Sequence, residues 1–207
     1  MEPVTNLHLF LLSTVIISLT GVMSPGPVFA VTVTKGHRDR KAGALIAFGH
    51  GVIEFPLMTL IYFGFAWFFA LSQTKTAIGL IGGLMLVYMG FKMFRARRKT
   101  EDPGGENVGH GSFVAGIVTT IANPYFFLWW ATIGLALIRN ASDFGTVGFV
   151  FFAVVHWLCD LFWDFFVSFS VFKSRHLWTK KTHEVVFALC SVLLIGFGAW
   201  FILSVLV

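Results

Sequence analysis

The sequence predicts an all-α integral membrane protein: six transmembrane helices arranged as two inverted three-helix repeats, with helices one and four broken by proline. Three observations predict it. Of the 207 residues, 57% are hydrophobic and only 12% charged, about half the charged share of a water-soluble domain. The Lys and Arg residues gather at the connections between apolar runs, and they favour every second connection. Each half of the chain also carries a proline interruption in its first run and, in its next run, a histidine followed four residues later by a carboxylate.

The first run, about Leu7 to Thr34, is interrupted by Ser24-Pro25-Gly26-Pro27. Two prolines remove backbone donors and Gly26 loosens the turn, so the helix is expected to break there. The segment before it lacks a basic n-region and a small-residue cleavage signal, so no cleaved signal peptide is expected. The second run, Gly43 to Leu71, is 29 residues long and exceeds the roughly 20 that a bilayer core requires. A third span is read from about Ala77 to Phe94, where Gly79, Gly82, Gly83 and Gly90 permit close helix approach. Residues Arg95 to Gly111, rich in charge, Gly and Pro, read as a solvated linker.

A fourth span, about Ser112 to Ile138, carries Asn123-Pro124 near its middle. The fifth, about Phe144 to Phe172, holds His156, Asp160 and Asp164, and the sixth runs from about Glu184 to Val207. The whole chain, 1–207, is thus one transporter domain: repeat 1–94, cytoplasmic linker 95–111, repeat 112–207. Such spans leave no room for a water-exposed catalytic domain, so no enzyme activity and no cofactor are expected. Cys159 and Cys190 lie inside apolar runs, far from any CxxC pattern, and read as packing residues.

Lys35 to Lys41 contains four basic residues, Lys92 to Lys99 five and Lys173 to Lys181 four, against only Lys75 and Arg139 on the opposite side. This positive-inside bias makes those three loops cytoplasmic and puts both termini outside, in a multi-pass protein of the plasma membrane. The same distribution explains the formal net charge of +5 without a nucleic-acid partner.

Glu54 lies about 18 Å from the basic loop by helical rise, near mid-membrane. His50, four residues earlier, shares its face. Asp160 is at about the same depth, with His156 on its far side, as a two-fold axis in the membrane plane would arrange them. An ionisable group there is costly unless paired or hydrated, so a functional site is the default reading; a protonated Glu54 in a structural hydrogen bond is the plainer one. With no intramembrane Lys or Arg to neutralise them, Glu54, Asp160 and Asp164 are protonated, paired with histidine, or bound to a visiting cation. Exchange of a proton for a cationic substrate is the minimal device of an antiporter. Asp164 stands nearer the cytoplasm and ranks below the other two. Asn123, with the broken helices, and the interior Trp129 and Trp130, which wall a cavity or meet a cation on a ring face, complete the candidate site. Packing explains either tryptophan equally well.

Ser24-Pro25-Gly26-Pro27 with the following Lys35-Gly36 loop, Ala42-Gly43-Ala44 with Gly49-His50-Gly51, and Asn123-Pro124 together resemble the lysine-exporter (LysE/RhtB) family of amino-acid efflux carriers. The resemblance covers nearly the whole chain. It implies six helices, export of amino acids from the cytoplasm driven by the proton or ion gradient, and a plasma-membrane location. It carries over Pro25, Gly26, Pro27, Asn123 and Pro124 as motif positions. The expected partners are a small-molecule substrate, an amino acid with a cationic group, a coupling proton and the lipid bilayer; homo-oligomerisation is left open. The alternative is a divalent-cation exporter in which His50, Glu54, His156 and Asp160 are ligands, since imidazole and carboxylate together suit such ions.

Overall fold

The computed structural model describes residues 6–24, 26–65, 67–68, 71–97 and 108–206. Pro25 and most of the linker lie outside the described residues, as does Val207. All the regular structure among the described residues is helical.

Helix α1, Leu7–Val22, is capped by Asn6, whose side chain accepts from the His8 N–H at 2.9 Å. Helix α2, Pro27–Gly36, opens on a proline at the one position where a missing N–H costs nothing. The two axes differ by 78°. Helix α3, Ala42–Tyr62, carries Pro56 within it. It ends in a Schellman motif: Phe65 N–H donates to the Leu60 carbonyl and Gly64 N–H to that of Ile61, both at 3.0 Å, with Gly64 at φ +92°. The apolar run from Gly43 to Leu71 is therefore not one helix. Its hydropathy continues past Tyr62, but Gly64 supplies the left-handed residue that stops it.

Helix α4, Ser72–Ala96, begins five residues before the expected Ala77, because Ser72 to Thr76 contains polar residues but no breaker. Helices α5, Val108–Ile121, and α6, Pro124–Trp129, flank Ala122 and Asn123; a π-turn, Trp130–Gly134, then leads into α7, Leu135–Ser142. The Gly111–Ile121 and Pro124–Ser142 segments are bent by 59°. Helix α8, Gly145–Ser174, runs unbroken for 30 residues. A 3-10 turn, Arg175–Leu177, precedes α9, Lys180–Leu206. Among the described residues four helices (α3, α4, α8, α9) are long and apolar enough to span a membrane, and each bent pair counted as one span brings the number up to six. The protein is a multi-pass membrane protein.

Helix α4 packs along α9, α3 lies against α5 and α8, and α1 and α2 lie against α8. Small residues allow these approaches. A Cβ on Gly83 would stand 2.7 Å from the Gly198 carbonyl, and one on Gly198 2.6 Å from that of Gly83, so the backbones touch where both side chains are absent. One buried apolar cluster joins Phe10, Met58, Trp130, Ile138 and Phe152, and a second joins Ala30, Leu86, Ala122 and Leu194. Leu12, Ile16, Phe48, Phe162, Phe166 and Leu203 are exposed, as suits a surface bathed in hydrocarbon. His37, at the end of α2, meets the rings of Trp178 and His183, each with centroids 4.9 Å away, which brings the first and third basic loops to one end of the molecule.

Candidate functional site

The site is built on the α3 and α8 pair. At spacing i, i+4 each helix turns a histidine and an acid to the same side, and packing α3 on α8 brings the two pairs together. His50 Nε2 lies 3.0 Å from Glu54 Oε1 and 3.8 Å from Asp160 Oδ1. His156 Nε2 lies 3.3 Å from Glu54 Oε1 and 3.7 Å from Asp160 Oδ2. Each histidine thus faces both acids, and all four residues are buried, Glu54 to 1% exposure. The Trp157 indole fixes this register: its N–H donates to the Ala47 carbonyl at 3.0 Å, one residue beyond His156.

The remaining histidine nitrogens are held from the bent helices. Thr120 Oγ1, at the end of α5, lies 2.8 Å from His50 Nδ1, and Ser18 Oγ, on α1, lies 2.7 Å from His156 Nδ1. Asp164 accepts a hydrogen bond from Thr32 on α2 at 3.1 Å. Among the described residues, Glu54 Oε2 and Asp160 Oδ2 make no hydrogen bond. Buried acceptors left in this state are expensive, and they mark where a donor is wanted.

The ring forms one wall of a cavity of about 290 Å³, at the small end of ligand pockets. Of the residues singled out in the sequence, His50, Glu54, His156, Asp160, Asp164, Asn123, Trp129, Trp130, Ser24, Gly26 and Pro27 line it. Pro124 starts α6 away from the wall, beside Gly82 of α4. Asp164, ranked below the others by depth, stands on the same wall as they do. Trp129 and Trp130 lie over His156, with ring centroids 5.2 and 4.9 Å away. Trp130 opens the π-turn, and its ring occupies the space that a Cβ on Gly134 would take.

Ser18, Thr120, Thr32 and Phe126, whose ring meets His50 edge-on at 5.1 Å, escaped the sequence reading. A hydroxyl in an apolar helix gives no periodic signal; only its partner across the bundle reveals it. Oxygen and nitrogen atoms of His50, Glu54 and Asp160 lie within 4.8 Å of one another, a spacing that a shared proton and a divalent ion both satisfy.

Residues 19–205 match the family described as "LysE type translocator". The chain is 28% identical over 181 residues to the "Chemotactic transduction protein ChpE" of Pseudomonas aeruginosa, covering 84% of this chain and 88% of that protein. It is 28% identical over 135 residues to the "Threonine efflux protein" of Escherichia coli K12, covering 59% of this chain and 63% of that protein. No solved structure matches.

Proposed function

This chain belongs to the LysE type translocator family, and we propose that it exports a small amino acid from the cytoplasm in exchange for protons. The observation that carries the reading is the four-membered ring of His50, Glu54, His156 and Asp160, which lines a cavity beside both helix bends and has two carboxylate oxygens without a hydrogen bond among the described residues. A substrate ammonium offers the donors that Glu54 Oε2 and Asp160 Oδ2 lack. Its carboxylate finds the first turn of α2, which no side chain caps, where backbone N–H groups and the helix dipole favour an anion. Both ends of a zwitterion are thereby met within one small cavity, and the apolar walls exclude larger polar cargo.

Coupling follows from charge. An acid ring with no intramembrane Lys or Arg sheds negative charge when it takes up a proton or a cation and is costly when it holds neither, so the two compete for it. The arrangement as two inverted repeats, 1–94 and 112–207, is supported by the packing. Exchanging the halves maps the α3 and α5 contact onto that of α8 with α1, while α4 on α9 and α3 on α8 map onto themselves. Proline breaks in the first and fourth spans, cytoplasmic basic loops and a plasma-membrane location complete the proposal.

The threonine efflux relative makes threonine the first substrate to try. Proteoliposomes loaded with radiolabelled amino acids or divalent metals, with and without a pH gradient, test the reading. Gradient-stimulated amino-acid release that disappears in Glu54→Gln is the expected result. An undiminished rate in the Glu54→Gln, Asp160→Asn double variant would end the role of the acids. Movement of metal with amino acids inert would replace the substrate class.

A further inference from the structure

The two histidines of the ring are related by the repeat, yet their outer neighbours differ in a way that decides where each holds its proton. The Thr120 hydroxyl has one hydrogen, and that hydrogen is committed to the Gly116 carbonyl at 2.7 Å. Toward His50 Nδ1, 2.8 Å away, Thr120 can therefore only accept, and His50 carries a proton at Nδ1. Ser18 is otherwise placed. Among the described residues its hydroxyl has no carbonyl partner, and its one hydrogen bond is the contact of 2.7 Å with His156 Nδ1. A buried hydroxyl hydrogen left without an acceptor is costly, so Ser18 donates, and His156 keeps a lone pair at Nδ1 and its proton at Nε2.

We propose that Thr120 and Ser18 are positioning residues that impose opposite tautomers on His50 and His156, making the two halves of the site chemically unequal. His156 then carries its proton at Nε2, which stands 3.3 Å from Glu54 Oε1 as an ion-pair contact. His50 faces the same oxygen at 3.0 Å with a nitrogen that needs a proton between them, since otherwise two lone pairs oppose each other. The His50 and Glu54 contact is thus where the ring's single mobile proton sits, and His156 is the anchor that keeps Glu54 in place while that proton is present or absent. A substrate ammonium can take the place of this proton beside Glu54, but not of the one on His156, which Ser18 locks.

This rests on the exporter reading for its meaning and not for its test. Protein labelled with 15N-histidine and reconstituted in bilayers at neutral pH reports each ring nitrogen as protonated or bare, and the loss of signals in His50→Gln and in His156→Gln assigns them. The expected spectra show a protonated Nδ1 at His50 and a bare Nδ1 at His156. In Thr120→Val the His50 Nδ1 loses its acceptor and its signal changes, whereas Thr120→Ser keeps the wild-type pattern; Ser18→Ala changes His156 alone. Gradient-stimulated export is expected to fall about five- to hundredfold in Thr120→Val, the effect of one buried hydrogen bond, and to be restored in Thr120→Ser. A bare Nδ1 at His50, a protonated Nδ1 at His156, or Thr120→Val spectra like those of wild type would overturn the assignment. If the tautomers are as described and no amino acid moves, the exporter reading fails and the assignment stands.

Discussion

Substitution of Gly43 by alanine tests whether the closeness of α3 and α8 sets the site. Gly43 lies about two turns before His50, where a Cβ would stand 1.8 Å from the Asp164 carbonyl oxygen and 2.6 Å from Ser168 Oγ. Backbone cannot swing aside as a long side chain can, so the two helices must part by more than about 1 Å, at a cost of about 1–3 kcal/mol. The ring spans this interface. His156 Nε2 to Glu54 Oε1 is 3.3 Å and His50 Nε2 to Asp160 Oδ1 is 3.8 Å, and a further ångström takes both beyond 4 Å. Misplacement of that size can cost about a hundredfold in rate. The assay is substrate release per mass of inserted protein, with the melting midpoint in detergent measured beside it. Gly196→Ala is the control: nothing lies within 4 Å of its added Cβ, and alanine favours helix by up to about 1 kcal/mol. The same chemical change should therefore harm one position and spare or help the other. Wild-type release and melting in Gly43→Ala would refute the helix contact on which the ring depends.

At the end of the molecule where the first and third basic loops meet, burial holds the His37 imidazole below its ordinary 6.5, with His183, Arg175 and Arg38 adding to the effect. The unfolded chain then binds the extra proton more readily, so stability from this group is full above pH 6.5 and declines as pH falls below it. Melting midpoints between pH 7.5 and 5.5 should drop for wild type and drop less for His37→Gln. Cys159 and Cys190 are buried at 7% and 4% exposure, so the Cys159→Ala, Cys190→Ala double variant should lose about 1–3 kcal/mol of stability and keep its export rate. Loss of export with normal folding would show that a cysteine does more than pack.

How much of this was legible in the residues depends on what kind of signal each feature leaves. His50 with Glu54 and His156 with Asp160 stood out because ionisable groups are rare in an apolar run, and their spacing of four places each pair on one helix face. Depth counting with the expected repeat put only the two acids level, and the structure brings both pairs into one ring. The end of α3 was legible only locally. Hydropathy runs on to Leu71, and the single Gly64 that stops the helix is one of 21 glycines. The π-turn at Trp130 is a change of hydrogen-bond register, which no residue type announces. Ser18 and Thr120 were invisible for another reason: serine and threonine commonly satisfy themselves on their own helix, as Thr20 does on Ile17 and Thr132 on Leu128.

That last distinction bears on how an inverted repeat can work at all. Two identical half-sites would compete for one proton without a preference, and a substrate arriving between them would displace either. In the proposed repeat the acids stand level, with the histidines on opposite sides of them, and varying the hydroxyl behind each histidine separates the two duties. The half with Thr120, whose hydrogen is already committed to its own helix, can hold the exchangeable proton. The half with Ser18, whose hydrogen has no partner but the imidazole, holds the carboxylate still. Ser18→Ala removes the hydroxyl hydrogen that faces His156 Nδ1, so the tautomer there is no longer imposed. The mobile proton would then become available on both sides of Glu54, with amino-acid exchange retained and its dependence on the pH gradient weakened.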